Sequence, residues 1–481
     1  MGGRRLRLAA GWIFVGLIVF APLNFGSTRA GGPELLTFGC AAATLLWSLS
    51  FLAGGRRPQV PIAAAASAAL LTLAALPWIA RLLPLTPVAA FTQLHFAHVA
   101  ARWPYSIVWR TPDNTLQLTL ALAAAALALI DLARSRDWAL AFSIALVATA
   151  VAIAVLALVQ NYTHATGIYW RHDGRMPGNF CGTFFHHTAA GAYFNTAWPV
   201  AAMLTALAWD RPHAPGSVPL LAGLGLLATI ILLAAHGSHV SRFPQVAALV
   251  VAPFLLRGLR LSRTPRWLVG IGAAVAVVVL IFVAGRAGVI AERWQSMFEA
   301  APVGYTPDRL PESAWPALMR DDLFVPHTSR TGWFGDRGES WRTALRSIVD
   351  RPLFGHGPGN WIGASSQHTD DPFVRTFFQF LQFTHQDVLQ SAVEWGLVAA
   401  LAWWVLLAGA VVAVIRARNW VTTHHRKLAI AAACGLAAVL LQSQIDFPLQ
   451  IPAVAFNVIL LAALGWAGAT ALPAPQQPVL P

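Results

Sequence analysis

Charged residues and cysteines are scarce in this sequence. Asp, Glu, Lys and Arg make up 11% of its 481 residues, whereas an ordinary soluble domain carries roughly 25%. Hydrophobic residues make up 57%, which is more apolar surface than a soluble fold can hide. The composition therefore excludes an ordinary soluble protein.

The three cysteines offer neither a disulfide framework nor the spacing of a metal site. Cys40 and Cys434 fall inside apolar runs, and Cys181 stands alone near a predicted loop. The predicted outer loops contain no Asp-x-Asp pair, and the adjacent pairs Asp321-Asp322 and Asp370-Asp371 are better explained as solvated residues than as ligands. A Gly-x-x-x-x-Gly-Lys loop is also missing. We therefore predict no metal, no cofactor and no direct use of nucleoside triphosphates.

Long apolar runs recur along the chain. A helix of about 18 or more apolar residues can cross a hydrocarbon core of about 30 Å, and it satisfies its own backbone hydrogen bonds. The sequence therefore predicts an all-α, polytopic integral membrane protein with about twelve transmembrane helices. The predicted spans are 8–25, 33–53, 60–83, 114–133, 137–160, 186–209, 217–236, 243–257, 266–286, 385–415, 427–445 and 450–470.

The basic residues predict the orientation of these helices. The formal charge of +13 does not indicate a nucleic-acid-binding domain, because the arginines occur in short clusters between apolar runs. Short basic loops favour the cytoplasm, so both termini are predicted to be cytoplasmic. Three long connections, at about 84–113, 161–185 and 287–384, then face the outer side. Substrate chemistry is expected there.

This pattern divides the chain into four parts. Residues 1–286 form a nine-helix transmembrane portion, 287–384 a long outer loop, 385–470 a three-helix transmembrane portion and 471–481 a disordered tail. Thr28-Arg29-Ala30 is a poor cleavage site, so the first apolar run is predicted to be a retained helix rather than a signal peptide.

The long outer loop contains a pattern typical of a surface helix. Four apolar residues recur at helical spacing, with two arginines on another face: Trp341, Leu345, Ile348 and Val349, and Arg342 and Arg346. This pattern predicts a short amphipathic helix on the membrane surface. The helix ends at Arg351-Pro352, and the glycine-rich stretch 355–360 then predicts a tight turn, for which an ordinary loop turn is an equal explanation.

Arg242 is the first candidate functional residue. It lies at a predicted outer turn before a short span, which predicts a position near membrane depth. An arginine there is costly unless it faces a cavity or an anion. Ser241 as a cap and Pro244 in the first turn would add backbone donors and a positive dipole end. An arginine that snorkels to the interface is the alternative.

His385 is the second candidate, at the start of a long outer-to-inner helix. Helical spacing predicts Ala392, Gly396 and Ala399 beneath it on one face, where small residues would form a groove. Glu394 points to nearly the opposite face and is predicted to be structural. A capping or packing histidine is the commoner alternative to a catalytic one.

Arg337 is the third candidate, because it lies at the start of the predicted surface helix, where it could reach an anionic headgroup. Other loop arginines compete for this role: Arg320, Arg330, Arg342 and Arg346. A solvated charged loop is the alternative for each of them taken alone.

Several of these segments together resemble the O-antigen ligase and polymerase family of bacterial envelope glycosyltransferases. The strongest match is the pattern His-[Asn/Ser/Gln]-x9-Gly-x-x-[Gly/Thr/Tyr], met by His385, Gln386 and Gly396, with Ala399 in place of the last residue. Looser matches are 337–341 with 351–360, 182–185 with 191–193, and 446–453. The usual Ser-Arg-Gly-Gly turn of the family is here Ser241-Arg242-Phe243-Pro244, which keeps the arginine but not the glycines.

The resemblance implies a C-type glycosyltransferase of the bacterial inner membrane that takes a glycan from undecaprenyl diphosphate on the periplasmic side. The expected acceptor is lipid A-core, with a growing glycan or a protein hydroxyl as alternatives. His385 is expected to be the general base, while Arg242 and Arg337 bind the diphosphate without a metal. This requires the three residues to converge above the outer leaflet. The supporting candidates are Gln386, Asp387, Arg342 and Asp446.

Two other classes of protein compete with this enzyme. A twelve-helix transporter would also place charge near a substrate path, but such folds usually show two related halves of six helices. The one large loop here follows the ninth predicted span, which favours the enzyme. A structural membrane scaffold is the third option, and it predicts that substitution of Arg242 leaves the envelope glycans unchanged.

Overall fold

A computed structural model describes residues 2–54, 57–79, 112–171, 181–210, 220–239, 241–259, 288, 335–368, 383–417 and 422–470. The helices are α1 (Gly2–Leu23), α2 (Gly32–Gly54), α3 (Ile62–Ile79), α4 (Pro112–Ala133), α5 (Arg136–Tyr162), α6 (His187–Trp209), α7 (Leu220–Ser238), α8 (Arg242–Leu259), α9 (Gly335–Asp350), α10 (Trp361–Gln367), α11 (Asp387–Arg416), α12 (Thr423–Gln442) and α13 (Pro452–Ala469). Within these ranges there is no strand, only an isolated bridge between Cys181 and Phe184. The all-α prediction is confirmed.

Ten of the described helices are long and apolar enough to cross a membrane: α1 to α5, α7, α8 and α11 to α13. They support a multi-pass membrane protein. The predicted span 186–209 corresponds to α6, which is helical but is not among these ten. The predicted span 266–286, the tail 471–481 and most of the connection 84–113 lie outside the described residues.

Helix α6 is less apolar than the ten candidate spans, and it is surrounded by protein. Almost every residue from Ala189 to Ala201 is buried, in a bundle with α5, α7, α8, α12 and α13. Two of its polar side chains find partners inside the bundle: Asn195 Nδ2 donates to the Pro244 carbonyl at 2.9 Å, and Trp198 Nε1 donates to Asn195 Oδ1 at 3.1 Å. A helix in protein rather than lipid can carry such residues. The hydropathy of a span therefore depends on what covers it.

The chain divides into two compact units. The first comprises Met1–Leu73, Asn114–Arg286 and Leu401–Pro481, and it contains the bundle around α6. The second comprises Ala74–Asp113 and Ala287–Ala400, and its described part contains α9, α10 and the first half of α11. Arg242 and Asp446 belong to the first unit, whereas Arg337 and His385 belong to the second.

The second unit has a small core between its helices. Ala344 of α9, Trp361 and Ala364 of α10 and Val393 of α11 pack together. The predicted helix is present as α9. Its predicted apolar face is divided, because Ile348 packs against this core while Leu345 and Val349 are 54% and 81% exposed. An outward apolar face is what a helix on a membrane surface needs.

Candidate functional site

The feature that organises the second unit is a break in α11 at Gly396. Its φ of 76° and ψ of 168° are not helical. The Val393 and Glu394 carbonyls accept instead from the His356 and Gly357 N–H groups, at 2.8 and 2.9 Å, and the Leu397 N–H donates to the Pro352 carbonyl at 2.7 Å. The glycine-rich turn therefore takes over hydrogen bonds at the break.

Glycine is required on both sides of this contact. Gly355 has a φ of +68°, and a Cβ there would lie 2.6 Å from the Glu394 carbonyl carbon. A Cβ on Gly396 would lie 2.2 Å from the Leu353 oxygen. Stretch 355–360 is thus more than an ordinary loop turn. The expectation that Gly396 continues a helical face below His385 was wrong, because the helix starts at Asp387 and is interrupted at Gly396.

His385 lies just before α11 in the left-handed region, with a φ of 56°. Few non-glycine residues adopt this conformation, and such strain persists only where the surroundings enforce it. Here the preceding residue is fixed: Thr384 is fully buried, its N–H donates to Gln390 Oε1 at 2.7 Å, and its carbonyl accepts from Ser340 Oγ at 3.1 Å. His385 as a whole residue is half-buried, and its Nδ1 is a buried atom.

A buried polar chain links this histidine to the glycine turn. Gln390 Nε2 donates to Glu394 Oε1 at 2.6 Å, and the Gly359 N–H donates to Glu394 Oε2 at 2.9 Å. With the bond between Gln390 and Thr384, the chain runs from Gly359 to the residue before His385. These contacts agree with the predicted structural role of Glu394. Sequence analysis missed Gln390, because only the fold gives it two partners.

Arg337 lies in the same unit as His385. It is half-buried on α9, three residues before Ser340, and residues three apart share a helix face. Because Ser340 bonds Thr384, the Arg337 face of α9 is the one that meets the His385 segment. Arg342 is exposed.

The remaining supporting candidates occupy different environments. Gln386 Oε1 accepts from the Leu389 N–H at 3.2 Å and so caps α11. Asp387 is buried as the first residue of that helix. Asp446, in the first unit, accepts from the Phe447 N–H at 3.0 Å. Structural roles for Gln386 and Asp446 are the simplest account of these contacts.

Arg242 is the first residue of α8 and is half-buried. A chain of histidines supports this helix start: the Ser241 N–H donates to His239 Nδ1 at 3.1 Å, His239 Nε2 lies 3.3 Å from His236 Nδ1, and His236 Nε2 lies 3.1 Å from the Pro244 carbonyl. One tautomer set satisfies all three contacts, with both rings neutral and protonated on Nε2. Burial lowers the pKa of His239 well below its usual value, in agreement with a neutral ring.

A group in the second unit could hold a metal ion, since ligand atoms of Asp350, His356 and His368 lie within 4.8 Å of one another. However, His356 Nε2 lies 3.0 Å from the Ser347 carbonyl, and Arg351 Nε lies 3.5 Å from the carboxylate oxygen that both imidazoles approach. This guanidinium already compensates the carboxylate and would repel a dication. Burial lowers the pKa of His356 to about 4, so its imidazole is neutral near pH 7 and adds no charge to the group. We interpret the group as a polar cluster between α9 and the glycine turn.

The helices and the polar chains at their ends define a polytopic, all-helical membrane protein with two candidate sites, one in each unit. The O-antigen ligase family model matches residues 224–404. This match, which includes Arg242, Arg337 and His385, supports assignment of the chain to the O-antigen ligase and polymerase family. Members of the family are glycosyltransferase-like ligases and polymerases, and the family implies lipid-linked glycan substrates. Comparison with curated proteins gave no match.

Proposed function

We propose that this protein is an O-antigen ligase-like glycosyltransferase. It moves a glycan from undecaprenyl diphosphate to a hydroxyl of lipid A-core on the periplasmic side of the inner membrane. The family match over 224–404 carries this proposal. The anchored backbone before His385 adds to it, because Thr384 is held by Gln390 and Ser340 and a functional side chain needs such a fixed support.

In the proposed reaction, the His385 imidazole removes the proton from the acceptor hydroxyl. The acceptor oxygen forms a bond to the anomeric carbon while the bond from that carbon to the diphosphate oxygen breaks, and direct displacement inverts the anomeric centre. The electron pair leaves with undecaprenyl diphosphate. The donor is already activated, so the reaction needs charge stabilisation rather than a further energy source.

The leaving diphosphate requires cations, and arginine can bind its oxygens in a bidentate manner without a metal. We assign this role to Arg337, whose helix face meets the His385 segment through Ser340 and Thr384. Arg242 is a second proposed diphosphate ligand, on the strength of its place in the matched region and at a helix start. Each assignment is tested by its own variant.

The direct test measures glycan transfer by the purified protein from an undecaprenyl-diphosphate-linked donor to lipid A-core. Removal of a positioned base typically costs about 10² to 10⁴ in rate, so His385→Ala is expected to lose that factor. His164→Ala is the matched control, because His164 is an exposed histidine that also has a positive φ, of 49°. Transfer by His385→Ala at the parental rate would remove the base role.

The molecule that receives the glycan distinguishes this proposal from its alternatives. In a strain without its ligase, expression is expected to restore capping of lipid A-core, seen on a lipopolysaccharide gel. In a strain without its polymerase, restored ladder length would instead identify an O-antigen or exopolysaccharide polymerase. Glycan on protein hydroxyls would identify a protein O-oligosaccharyltransferase. Substrate flux across vesicles without any transfer would support the transporter.

A further inference from the structure

The first unit contains a cavity far along the sequence from the residues proposed for catalysis. Its volume is about 850 Å³, and it lies between the start of α1, the end of α2, the end of α4 and the start of α5. These helix ends border the short basic loops that the charge pattern assigns to the cytoplasmic side.

At the floor of the cavity, one negative and one positive side chain compensate each other. Asp131 is buried and forms an ion pair with Arg7. Its carboxylate also accepts from Trp47 Nε1 and from the Gln59 N–H, each at 2.9 Å. Arg7 Nη2 in addition donates to the Asp131 carbonyl at 3.0 Å. The Asp131 carboxylate therefore takes its hydrogen bonds from Arg7, Trp47 and Gln59 rather than from the other arginines of the lining.

The other charges of the lining are mainly positive. Among the lining residues that the structure describes, the basic ones besides Arg7 are the exposed Arg4 and Arg57 and the partly buried Arg134, and Asp137 is the only acidic one besides Asp131. The side chains of Arg4 and Arg57 form no hydrogen bond or ion pair with any residue that the structure describes. Arg134 Nη2 donates to Thr470 Oγ1 at 3.2 Å, whereas its buried Nε has no hydrogen-bond partner among the described residues. Burial lowers the pKa of Arg134, with Asp131 acting in the opposite direction, so a bound anion would offset a desolvation cost.

One wall of the cavity is apolar and reaches the surface of the protein. Leu8 and Trp12 are 43% and 63% exposed on α1, which is long and apolar enough to cross a membrane. Trp12 meets Trp138 edge to face, with the ring centroids 5.8 Å apart. Tryptophan favours the headgroup level of a bilayer. A ligand that fits this site carries an anionic group for the arginines and hydrocarbon for the tryptophan wall.

We propose that this cavity binds the headgroup of an anionic phospholipid, with the phosphate at Arg4, Arg57 and Arg134 and the acyl chains along Leu8 and Trp12. Basic pockets between helix ends are known binding places for such headgroups. A free phosphate shares the anionic chemistry but leaves the apolar wall without a partner.

Native mass spectrometry of the full-length, delipidated protein tests the proposal with three probes: phosphatidylglycerol, phosphatidylcholine and inorganic phosphate. We expect the parent to bind phosphatidylglycerol at least tenfold more tightly than phosphatidylcholine. The double variant Arg4→Gln/Arg57→Gln is expected to lose this preference. The matched control Arg416→Gln/Arg426→Gln removes two arginines from another predicted cytoplasmic loop and is expected to keep it.

A second variant distinguishes the lipid from a small anion. Trp12→Ala is expected to weaken binding of phosphatidylglycerol several-fold and to leave binding of inorganic phosphate unchanged. Equal binding of both lipids by the parent, or an unchanged preference in the Arg4→Gln/Arg57→Gln variant, would overturn the proposal. Displacement of phosphatidylglycerol by equimolar inorganic phosphate would overturn it as well, because the cavity would then be a small-anion site.

Discussion

The starts of α8 and α11 are both supported by buried polar side chains, but the two supports differ. Each presents a candidate functional residue, Arg242 or His385, beside a buried polar chain. At α8 the chain consists of neutral histidines and the helix is regular. At α11 it runs through Glu394 and Gln390, and the helix is broken at Gly396. A charged ligand can be held at a regular helix start, whereas His385 needs an unusual backbone that must be enforced.

The largest expected effect comes from closing the space at the helix break. Gly396→Ala puts a Cβ 2.2 Å from the Leu353 oxygen at a φ of +76°, so we expect a loss of about 4 kcal/mol or more in stability together with loss of transfer. Gly191 lies on α6 against the start of α8 and has no positive φ. A Cβ there would lie 2.6 Å from Pro244 side-chain atoms, so Gly191→Ala should reduce stability by about 1 to 3 kcal/mol.

Thermal unfolding in detergent measures both changes. Gly223→Ala is the control, because a Cβ there meets nothing within 4 Å and the residue lies within α7. If Gly396→Ala melted like Gly223→Ala, the helix break would not have the structural role described.

The second prediction compares the two arginines. Arg337→Gln is expected to reduce kcat/KM for the lipid-linked donor about 10- to 100-fold, because a hydrogen bond to a charged group contributes about 1.5 to 3 kcal/mol. Arg242→Gln should show a loss of the same order if it also binds the diphosphate. Steady-state transfer assays with varied donor concentration measure both.

Arg342→Gln serves as the comparison within α9, since this arginine is exposed and lies on another face from Arg337. We expect it to lose less than Arg337→Gln. Equal losses at Arg337 and Arg342 would point to the general charge of the loop rather than to a specific contact.

The third prediction concerns the chain behind His385. In Glu394→Gln only one oxygen remains for the donors that face the carboxylate, which include the Gly359 N–H and Gln390 Nε2. Gln390 cannot simply rotate, because its Oε1 accepts from Thr384. One buried group then stays unsatisfied, at a cost of about 1 to 3 kcal/mol.

We expect kcat for transfer to fall about tenfold in Glu394→Gln while KM for the donor changes little, because the polar chain from Glu394 ends at Thr384, next to the proposed base. Gln444→Leu, at an exposed glutamine, is the control for an amide change. A rise in KM alone would contradict the positioning role.

The smallest expected effect is a pH dependence of stability that arises from the histidine chain at the start of α8. Burial lowers the pKa of His239, so the unfolded chain takes up a proton first as the pH falls below about 6.5. The stability from the neutral ring is therefore present above that pH and is lost below it, by up to about 1.4 kcal/mol per pH unit. Thermal unfolding from pH 7 to 5 should show a flatter slope for His239→Asn than for the parent. His164→Asn should retain the parental slope.

Much of this fold is predictable from the sequence, because long apolar runs and Gly or Pro at their ends determine helices locally. The α9 helix and the turn after it were predicted correctly. The break at Gly396 was not, since the apolar pattern continues through it and only the contact with Leu353 reveals it. The burial of α6 was equally invisible, because hydropathy does not show whether lipid or protein covers a helix.

The candidate site was predicted as separate residues rather than as an arrangement. His385 and Arg337 stand out through their motif, but Ser340 and Gln390 carry no signal of their own. Their roles arise from contacts with Thr384, which is distant from Ser340 in sequence. Periodicity describes one helix at a time and cannot supply such contacts.

The interlocked glycines set a limit on how this protein can be rebuilt. A chimera that takes 335–360 from a relative but retains its own 387–397 must reproduce three backbone hydrogen bonds between partners that never folded together. The smallest segment that can be exchanged is therefore the whole stretch 335–397. Chimeras with a junction inside it are expected to misfold, so their activity would not show which residues determine glycan specificity.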